Sequence, residues 1–345
     1  MLVTPASPTA APDFGVYADV PVLVLGATGF IGRWTTRRLV GARADVTAVA
    51  RDLRDAESVL EPLRPSLRVA LADLRRVSDV RHLLNEHRPA VVFNLAGYGV
   101  AAGEREPESA TQINTELVEE VARGLGSQNN PDWAFQRLVH VGTALEYGEA
   151  TGDLHESTPA KPTTLYGRTK LEGTVRLKGV CAETGLRGIT ARLFTVYGPG
   201  EHLTRLLPTL CASSRTQCPI ELTAGTQRRD FTYVDDVAEG LLRLGLSETP
   251  PGEVVNLATG RLTSVREFAE TAARVIGLDP GRLRFGVLPV RPEEMSHAPV
   301  TVRRLVDLTG WRPPTDVTTG ITQTWSSWRE DEGAGATQLL AEARK

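Results

Sequence analysis

The chain has little of what would mark a secreted, metal-bound, membrane-spanning or nucleic-acid-bound protein. It holds three cysteines, Cys181, Cys211 and Cys218, in no paired spacing. That argues against a disulfide framework or a zinc site and for incidental thiols in a reduced, cytoplasmic protein. No His/Cys/Asp set has metal-ligand spacing, so no metal is expected. No apolar run approaches the ~18 residues that a membrane span needs. The first 19 residues carry no Lys or Arg, so they lack the basic region of a signal peptide. Residues 1–19 read as a disordered tail, and 331–345, with a Gly/Ala-rich stretch near 333–337, as a second one. The net charge of -3 makes no electrostatic case for nucleic acid or an anionic membrane as partner.

What is present suits a globular protein. With 345 residues, 41% of them hydrophobic and 23% charged, the chain can fill one large core or two joined ones. Apolar runs of strand length alternate with helix-length periodic segments. The runs are Val22–Leu25, Val46–Ala50, Leu67–Leu71, Ala90–Leu95, Leu138–Val141 and Ile189–Leu193. Over 109–125, Ile113, Leu117, Val118, Val121 and Leu125 share one helical face. Continuous apolar strands between amphipathic helices imply an α/β protein, a doubly wound parallel sheet of Rossmann type. The pattern loosens after about residue 195. Residues 198–232 suggest turns, one helix and a short strand. A helix near Asp235, a strand Val254–Leu257, a helix 264–277, a strand 283–288 and two short terminal helices follow. The expected layout is a dinucleotide-binding domain over 20–195, with 232–260 interleaved, and a smaller mixed α/β C-terminal substrate domain from 196–231 and 261–330.

The first strand runs into Gly26-Ala-Thr28-Gly29-Phe30-Ile31-Gly32. Glycines between the first strand and first helix of a βαβ unit allow a tight turn, close approach to a pyrophosphate, and packing of helix on strand. The phosphate then lies at the helix N-terminus. At the end of the second strand, Ala50 stands where an acid would bind the ribose 2′-hydroxyl of NAD, and Arg51 follows. A guanidinium suits a 2′-phosphate, and Arg33 can reach the same group. NADP(H) is therefore expected over NAD(H). Asp73 and Leu74 fall where adenine would be contacted, with helix capping the rival role for Asp73. Leu95, Ala96 and Gly97, ending the fourth run, complete the expected cofactor contacts.

Tyr166 and Lys170 sit at i and i+4 at the start of a helical stretch and share a face. The ammonium, together with an oxidised nicotinamide, is expected to favour tyrosinate and make Tyr166 an acid or base near neutral pH. Thr143 ends the strand before it, at the sheet edge where such folds bind ligands. It could hydrogen-bond the substrate oxygen that Tyr166 protonates, or only cap a turn. His140 reads as a core histidine. His155, His82 and His87 read as surface residues. His202 either touches the substrate or starts a helix. Ser213-Ser214 shows no nucleophile elbow, and Trp325 and Trp328 read as packing.

These motifs together resemble the extended short-chain dehydrogenases/reductases, especially the enzymes that modify nucleotide-linked sugars. The resemblance covers residues 20–325. It rests on the 26–32 loop, Thr143 with Tyr147-Gly148, and Tyr166/Lys170. It continues through Arg192-Leu-Phe-Thr-Val-Tyr-Gly-Pro-Gly200, Arg229-Asp-Phe-Thr-Tyr-Val-Asp-Asp236, Arg291-Pro292 and Thr309-Gly-Trp311. It implies that Phe194 and Thr195 lie by the nicotinamide and the substrate, although the family usually has Asn where Thr195 stands. It implies that Arg229 and Arg291 hold the diphosphate of a nucleotide sugar, which cationic forks suit. The rival reading of Arg229 is an ion pair with Asp230. Lys170 would hold the nicotinamide ribose, and Asn114 would be a buried polar residue near the site. Helices 109–126 and 163–183 would pair in a homodimer.

Departures from the family narrow the chemistry. Dehydratases of the family carry Asp-Glu after the Thr, and decarboxylases carry Glu at the second of those places. Here the two are Ala144 and Leu145, which transfer no protons. Glu146, one place on, would point to the opposite face of an extended segment. Reduction or epimerisation remains, and each needs only Thr143, Tyr166, Lys170 and the cofactor. Arg51, and the likeness of Ala48–Asp52 to the corresponding element of NADPH-using reductases, favour reduction of a keto sugar nucleotide at C4. The alternative is a 4-epimerase that retains its cofactor. A small-molecule ketone reductase or a non-catalytic NADP sensor would fit the residues less well.

Overall fold

The run Val22–Leu25 shows no polar alternation, and the computed structural model explains why; it describes residues 13–99, 103–128, 132–150, 152–290 and 297–342. Strand β1 (Pro21–Leu25) sends Val22 and Val24 into one core and Leu23 and Leu25 into another on the opposite face. Both faces are covered, so every position is apolar. The chain continues through α1 (Phe30–Gly41), β2 (Asp45–Ala50), α2 (Leu53–Leu60), β3 (Arg68–Leu71), α3 (Val77–His87) and β4 (Val91–Asn94). Next come α4 (Pro107–Thr111), α5 (Leu117–Gly126), β5 (Leu138–Thr143), α6 (Leu165–Thr184) and β6 (Gly188–Leu193). The C-terminal part adds β7 (Thr195–Tyr197), α7 (Leu206–Ala212), β8 (Ile220–Leu222), β9 (Arg228–Tyr233), α8 (Val234–Gly245) and β10 (Glu253–Leu257). It ends with β11 (Leu262–Ser264), α9 (Val265–Ile276), β12 (Leu283–Phe285), α10 (Arg303–Thr309) and α11 (Val317–Glu342).

Seven parallel strands form one sheet in the order β3-β2-β1-β4-β5-β6-β10. The order reverses between β1 and β4, and ligands of such sheets bind in the crevice there, beyond the strands' C-terminal ends. This is the expected doubly wound Rossmann sheet. The smaller sheets are mixed: β7 and β9 run parallel, β11 pairs antiparallel with β9, and β12 pairs parallel with β8. A third core of Leu207, Phe231, Phe268, Leu283 and Ile321 binds them to α7, α9 and α11.

Four features differ from the sequence expectation. Residues 13–17 lie inside the segment read as a tail, yet Asp13 caps a 3-10 turn over Phe14–Tyr17. Tyr17 is fully buried against Phe93 and Trp133 and donates its hydroxyl to the Leu242 carbonyl at 2.8 Å. An aromatic ring with a satisfied hydroxyl is an anchor. The periodic segment 109–125 is interrupted by a π turn over Gln112–Glu116. Beyond residue 195 there are more strands than the pattern shows, because three-residue strands carry too little periodicity to read. The last helix spans 26 residues, running into the segment read as a second tail.

Candidate active site

The glycine loop is shaped by contacts that leave no room for side chains. Gly26 has φ +76°, and a Cβ there would lie 2.8 Å from the Ala96 nitrogen. A Cβ on Gly32 would lie 2.0 Å from the Gly26 carbonyl oxygen. The loop therefore folds tightly between β1 and α1, against Leu95 and Ala96 at the end of β4, with Gly97 exposed beyond them. A pyrophosphate set at the start of α1 fits this cradle: Gly29 is the N-cap of α1 and no side chain caps the helix, so its first N–H groups remain for an anion. Thr28, Phe30 and Ile31 are half-buried in the same loop. Arg33 turns back on it, its Nε and Nη2 donating to the Gly29 and Thr28 carbonyls at 3.4 Å, while Gly200 approaches from the other side. Burial lowers the Arg33 pKa.

Arg51 directly follows β2 and is exposed, beside buried Ala50. Asp73 does not cap α3 with its side chain; the N-cap of that helix is Arg76. Its carboxylate instead accepts from Arg75 Nε and Nη2 at 2.9 and 2.8 Å, and this bond holds its pKa down to about 2. Leu74 packs on the core beneath.

Thr143 and Tyr166 are brought together by the packing of two short turns. After β5 the chain forms a 3-10 turn over Ala144–Glu146. Helix α6 starts at Thr164, whose hydroxyl accepts from the Gly167 N–H at 2.9 Å. A Cβ on Gly167 would lie 2.5 Å from the Leu145 carbonyl oxygen, so the start of α6 rests on that turn. Tyr166 lies there, half-buried, its ring against the backbone of Gly99. Lys170, one turn on, is 1% exposed. The Thr143 hydroxyl accepts from the Leu145 N–H at 3.3 Å, so it does cap the turn. As an acceptor there it still has its own proton to donate.

The acid–base balance differs from expectation. Burial, with the Glu146 and Glu104 carboxylates, holds the Tyr166 phenol above its ordinary value, and Arg205 opposes them. Burial lowers the Lys170 pKa to about 8, against the pull of Glu146. In the protein alone, desolvation outweighs the opposing Arg205 charge, and the Tyr166 phenol keeps its proton.

Asn114, 0% exposed, sits in the π turn with its side chain bonded to Tyr98 N and O and to the Thr169 hydroxyl. It thus ties the loop after β4 to α6. Phe194 and Thr195 follow β6 and are half-buried. The Phe194 ring meets Tyr147 at 6.4 Å and His297 edge-on at 5.3 Å. Arg229 and Asp230 are neighbours on β9 and point to opposite faces. The Asp230 carboxylate is taken up by the N–H groups of Thr259, Gly260 and Arg261 and by the hydroxyls of Thr232 and Thr259. The expected rival, an Arg229–Asp230 ion pair, is therefore not the arrangement found. Arg291 lies outside the described residues. His202 is exposed and bonds Thr204 ahead of α7. His140 is fully buried, as expected.

Three site neighbours escaped the sequence reading. His297 approaches Phe194 across about a hundred residues, and no local signal points to it. Arg205 acts on Tyr166 only through the tertiary fold. Glu146 had a signal: Thr143-Ala-Leu-Glu146 is a capping-box sequence, and the box is formed, with Glu146 Oε1 accepting from the Thr143 N–H at 2.8 Å. The segment is a turn and not extended, which corrects the reason given above for dismissing Glu146. Its carboxylate is nevertheless turned inward, 0% exposed, and bonded to the Thr143 N–H.

Residues 22–258 match the NAD dependent epimerase/dehydratase family. The chain belongs to that family. This agrees with the extended short-chain dehydrogenase/reductase class read from the motifs, and a nicotinamide nucleotide is the cofactor class that goes with it. Over 325 residues the chain is 30% identical to the dTDP-6-deoxy-L-talose 4-dehydrogenase (NAD(P)(+)) of Kitasatospora kifunensis, covering 90% of this chain and 96% of that one. It is 28% identical to a probable dTDP-4,6-dihydroxy-2-methyloxan-3-one 4-ketoreductase of Streptomyces antibioticus, over 76% of this chain and 79% of that one. The solved structure of MoeE5 in complex with UDP-glucuronic acid and NAD is similar with a TM-score of 0.76 at 27% identity, covering 90% and 99% of the two chains. No helix among the described residues is long and apolar enough to cross a membrane. No group of three metal-ligating side chains occurs among them either.

Proposed function

We propose that the chain reduces a keto group, at C4, of a nucleotide-linked deoxysugar with NADPH. The observation that carries this reading is the turn after Thr143. Ala144 and Leu145 offer no proton and Glu146 faces the core, so the turn supplies the Thr143 hydroxyl and no acid, and the proton comes from Tyr166. That set suffices to protonate an oxygen and not to expel one. When bound, the reduced nicotinamide supplies the hydride to the carbonyl carbon. Thr143 donates a hydrogen bond to the carbonyl oxygen, and Tyr166 gives that oxygen its proton. Lys170 carries the positive charge that compensates the tyrosinate left behind. Arg229, with Arg291 from outside the described residues, holds the diphosphate; Phe194, Thr195 and His202 border the sugar. Arg51 and Arg33 favour the 2′-phosphate, hence NADP(H) over NAD(H). The names of the Kitasatospora and Streptomyces relatives, a 4-dehydrogenase and a 4-ketoreductase, support the same carbon.

The second reading, a 4-epimerase with retained cofactor, uses the same three residues, and the NAD bound in MoeE5 favours the cofactor it would use. The deciding experiment mixes the purified protein with NADPH and a panel of 4-keto sugar nucleotides. Loss of the reduced-cofactor absorbance, one NADPH per substrate, is expected. Sugars interconverted with no net loss, and cofactor that stays with the protein, would establish the epimerase instead. The proposal includes a homodimer formed through α4–α5 and α6, where Val175 is 55% exposed; light scattering at two concentrations tests it.

A further inference from the structure

Glu146 makes more buried polar contacts than a capping residue needs. Oε1 accepts from the Thr143 N–H. Oε2 accepts from Arg192 Nε at 2.8 Å and from the Thr174 hydroxyl at 3.2 Å. The three partners belong to three elements. Thr143 ends β5, Thr174 lies on α6 one turn beyond Lys170, and Arg192 lies on β6 two residues before Phe194. The side chains of the pair are 6% and 0% exposed for Arg192 and Glu146. Gly142 leaves the space for the carboxylate, since a Cβ there would lie 2.5 Å from Oε1. Arg192 in turn lies over the Tyr147 ring at 4.6 Å. Burial works against the Arg192 charge, and Glu146 with Tyr147 outweighs it, so its pKa is raised.

We propose that Glu146 is the positioning residue of this site: one buried carboxylate fixes Thr143, the helix that carries Tyr166 and Lys170, and the strand that leads to Phe194. Held there, its charge favours the ammonium of Lys170. The inference deepens the reading of Thr143, Tyr166 and Lys170 as the reacting set, and it rests on that reading for its meaning in turnover. Glu146 faces Arg192 from β6 and acts on Tyr166 and Lys170 from α6; Arg192 also faces the Tyr147 ring, and buried His140 on β5 feels Lys170. Glu104 and Arg205 act on Tyr166 from elsewhere and stay in place when Glu146 is changed. A merely structural clamp would hold the elements together without setting any proton affinity.

Lys170 can be watched directly. The chain has four lysines, Lys161, Lys170, Lys178 and Lys345, so carbon-13 labelling of the lysine ε-carbons gives a spectrum of four signals, and a Lys170→Arg protein assigns the one required. In the wild type its titration is expected near 8. Glu146→Gln keeps the shape and removes the charge, and the Lys170 midpoint should fall by about one pH unit. The alkaline limb of the reduction rate should move down with it, and kcat at neutral pH should drop about tenfold while the affinity for NADPH holds. If Glu146→Gln does not fold because Arg192 is left unpaired, Glu146→Gln/Arg192→Gln removes the pair as a unit and should lower the midpoint too. A folded variant whose Lys170 titrates as in the wild type would overturn the proposal. The lysine spectrum needs no substrate, so this failure is distinct from that of the reductase reading, which shows as no turnover by the wild type.

Discussion

The two sides of the cleft are built in different ways. On the side of β1 and α1 the shape is made by the backbone: Gly26 and Gly32 let strand, turn and helix close on one another within seven residues of sequence. On the side of β7, β9 and β11 it is made by side chains that reach far. Asp230 bonds residues 30 and 31 positions away, and its N–H points to the His297 ring 67 positions on. The lesson is about tolerance. A backbone-made site has no side chain to trim and fails by steric intrusion, whereas a side-chain-made site fails one contact at a time. Tyr166 stands between them, and the largest expected effect belongs there. Tyr166→Phe should cut kcat about a thousandfold and leave NADPH and substrate affinities near those of the wild type. A loss in affinity equal to the loss in rate would mean that Tyr166 shapes the cleft and does not move a proton.

The next largest effect sharpens the backbone side. In Gly32→Ala the new methyl meets the Gly26 carbonyl at 2.0 Å, so the loop must open. NADPH affinity should fall about a hundredfold, close to 3 kcal/mol. The C-terminal core of Phe231, Phe268 and Ile321 lies elsewhere and should be undisturbed. Calorimetry for binding and a thermal melt for folding separate the two. An unchanged affinity would show that the loop is looser than its contacts imply.

The same contrast explains what could be read in the sequence. The sheet was legible because each long strand is a continuous apolar run, and the loop because its glycines follow the first of them. The place of Thr143 at a strand end, and of Tyr166 and Lys170 at the start of a helix, was legible from spacing. The strands β7 and β11 were not, since each has three residues and pairs with β9 over a long range. Tyr17 was missed because a single aromatic in a Pro- and Ala-rich stretch has no period. An extended segment would point Glu146 away from the site; the capping box in Thr143-Ala-Leu-Glu146 turns it inward instead. For Tyr166 the sequence shows the spacing of a lysine and not the burial of the ring, and burial decides the direction.

A smaller effect probes the ribose end of the backbone side. Arg51 is exposed, so the role proposed for it rests on charge toward a 2′-phosphate and not on packing. Arg51→Ala should weaken NADPH by about tenfold, leave NADH unchanged and leave the melting temperature unchanged. If both cofactors weaken together, Arg51 does not discriminate between them, and Arg33, held on the loop carbonyls, is the remaining candidate.

The smallest expected effect lies where the two sides meet. Glu201 follows the Gly198-Pro-Gly200 turn that lies against Arg33. Its Oε2 is buried without a hydrogen-bond partner, and Oε1 is 3.5 Å from Arg205 Nε. Burial raises its pKa from 4.5 to about 7, although Arg205 opposes the shift. A group whose folded pKa lies above its unfolded one favours the folded state at low pH, and that advantage disappears as pH rises through the folded value. The wild type should therefore lose about 1–2 kcal/mol between pH 5 and pH 8 on account of this residue. Glu201→Gln has no proton to lose and should escape that part of the decline, so its urea midpoint should exceed that of the wild type at pH 8 and not at pH 5. Parallel declines in the two proteins would mean that water reaches Oε2, and that this junction is as open as the rest of the cleft.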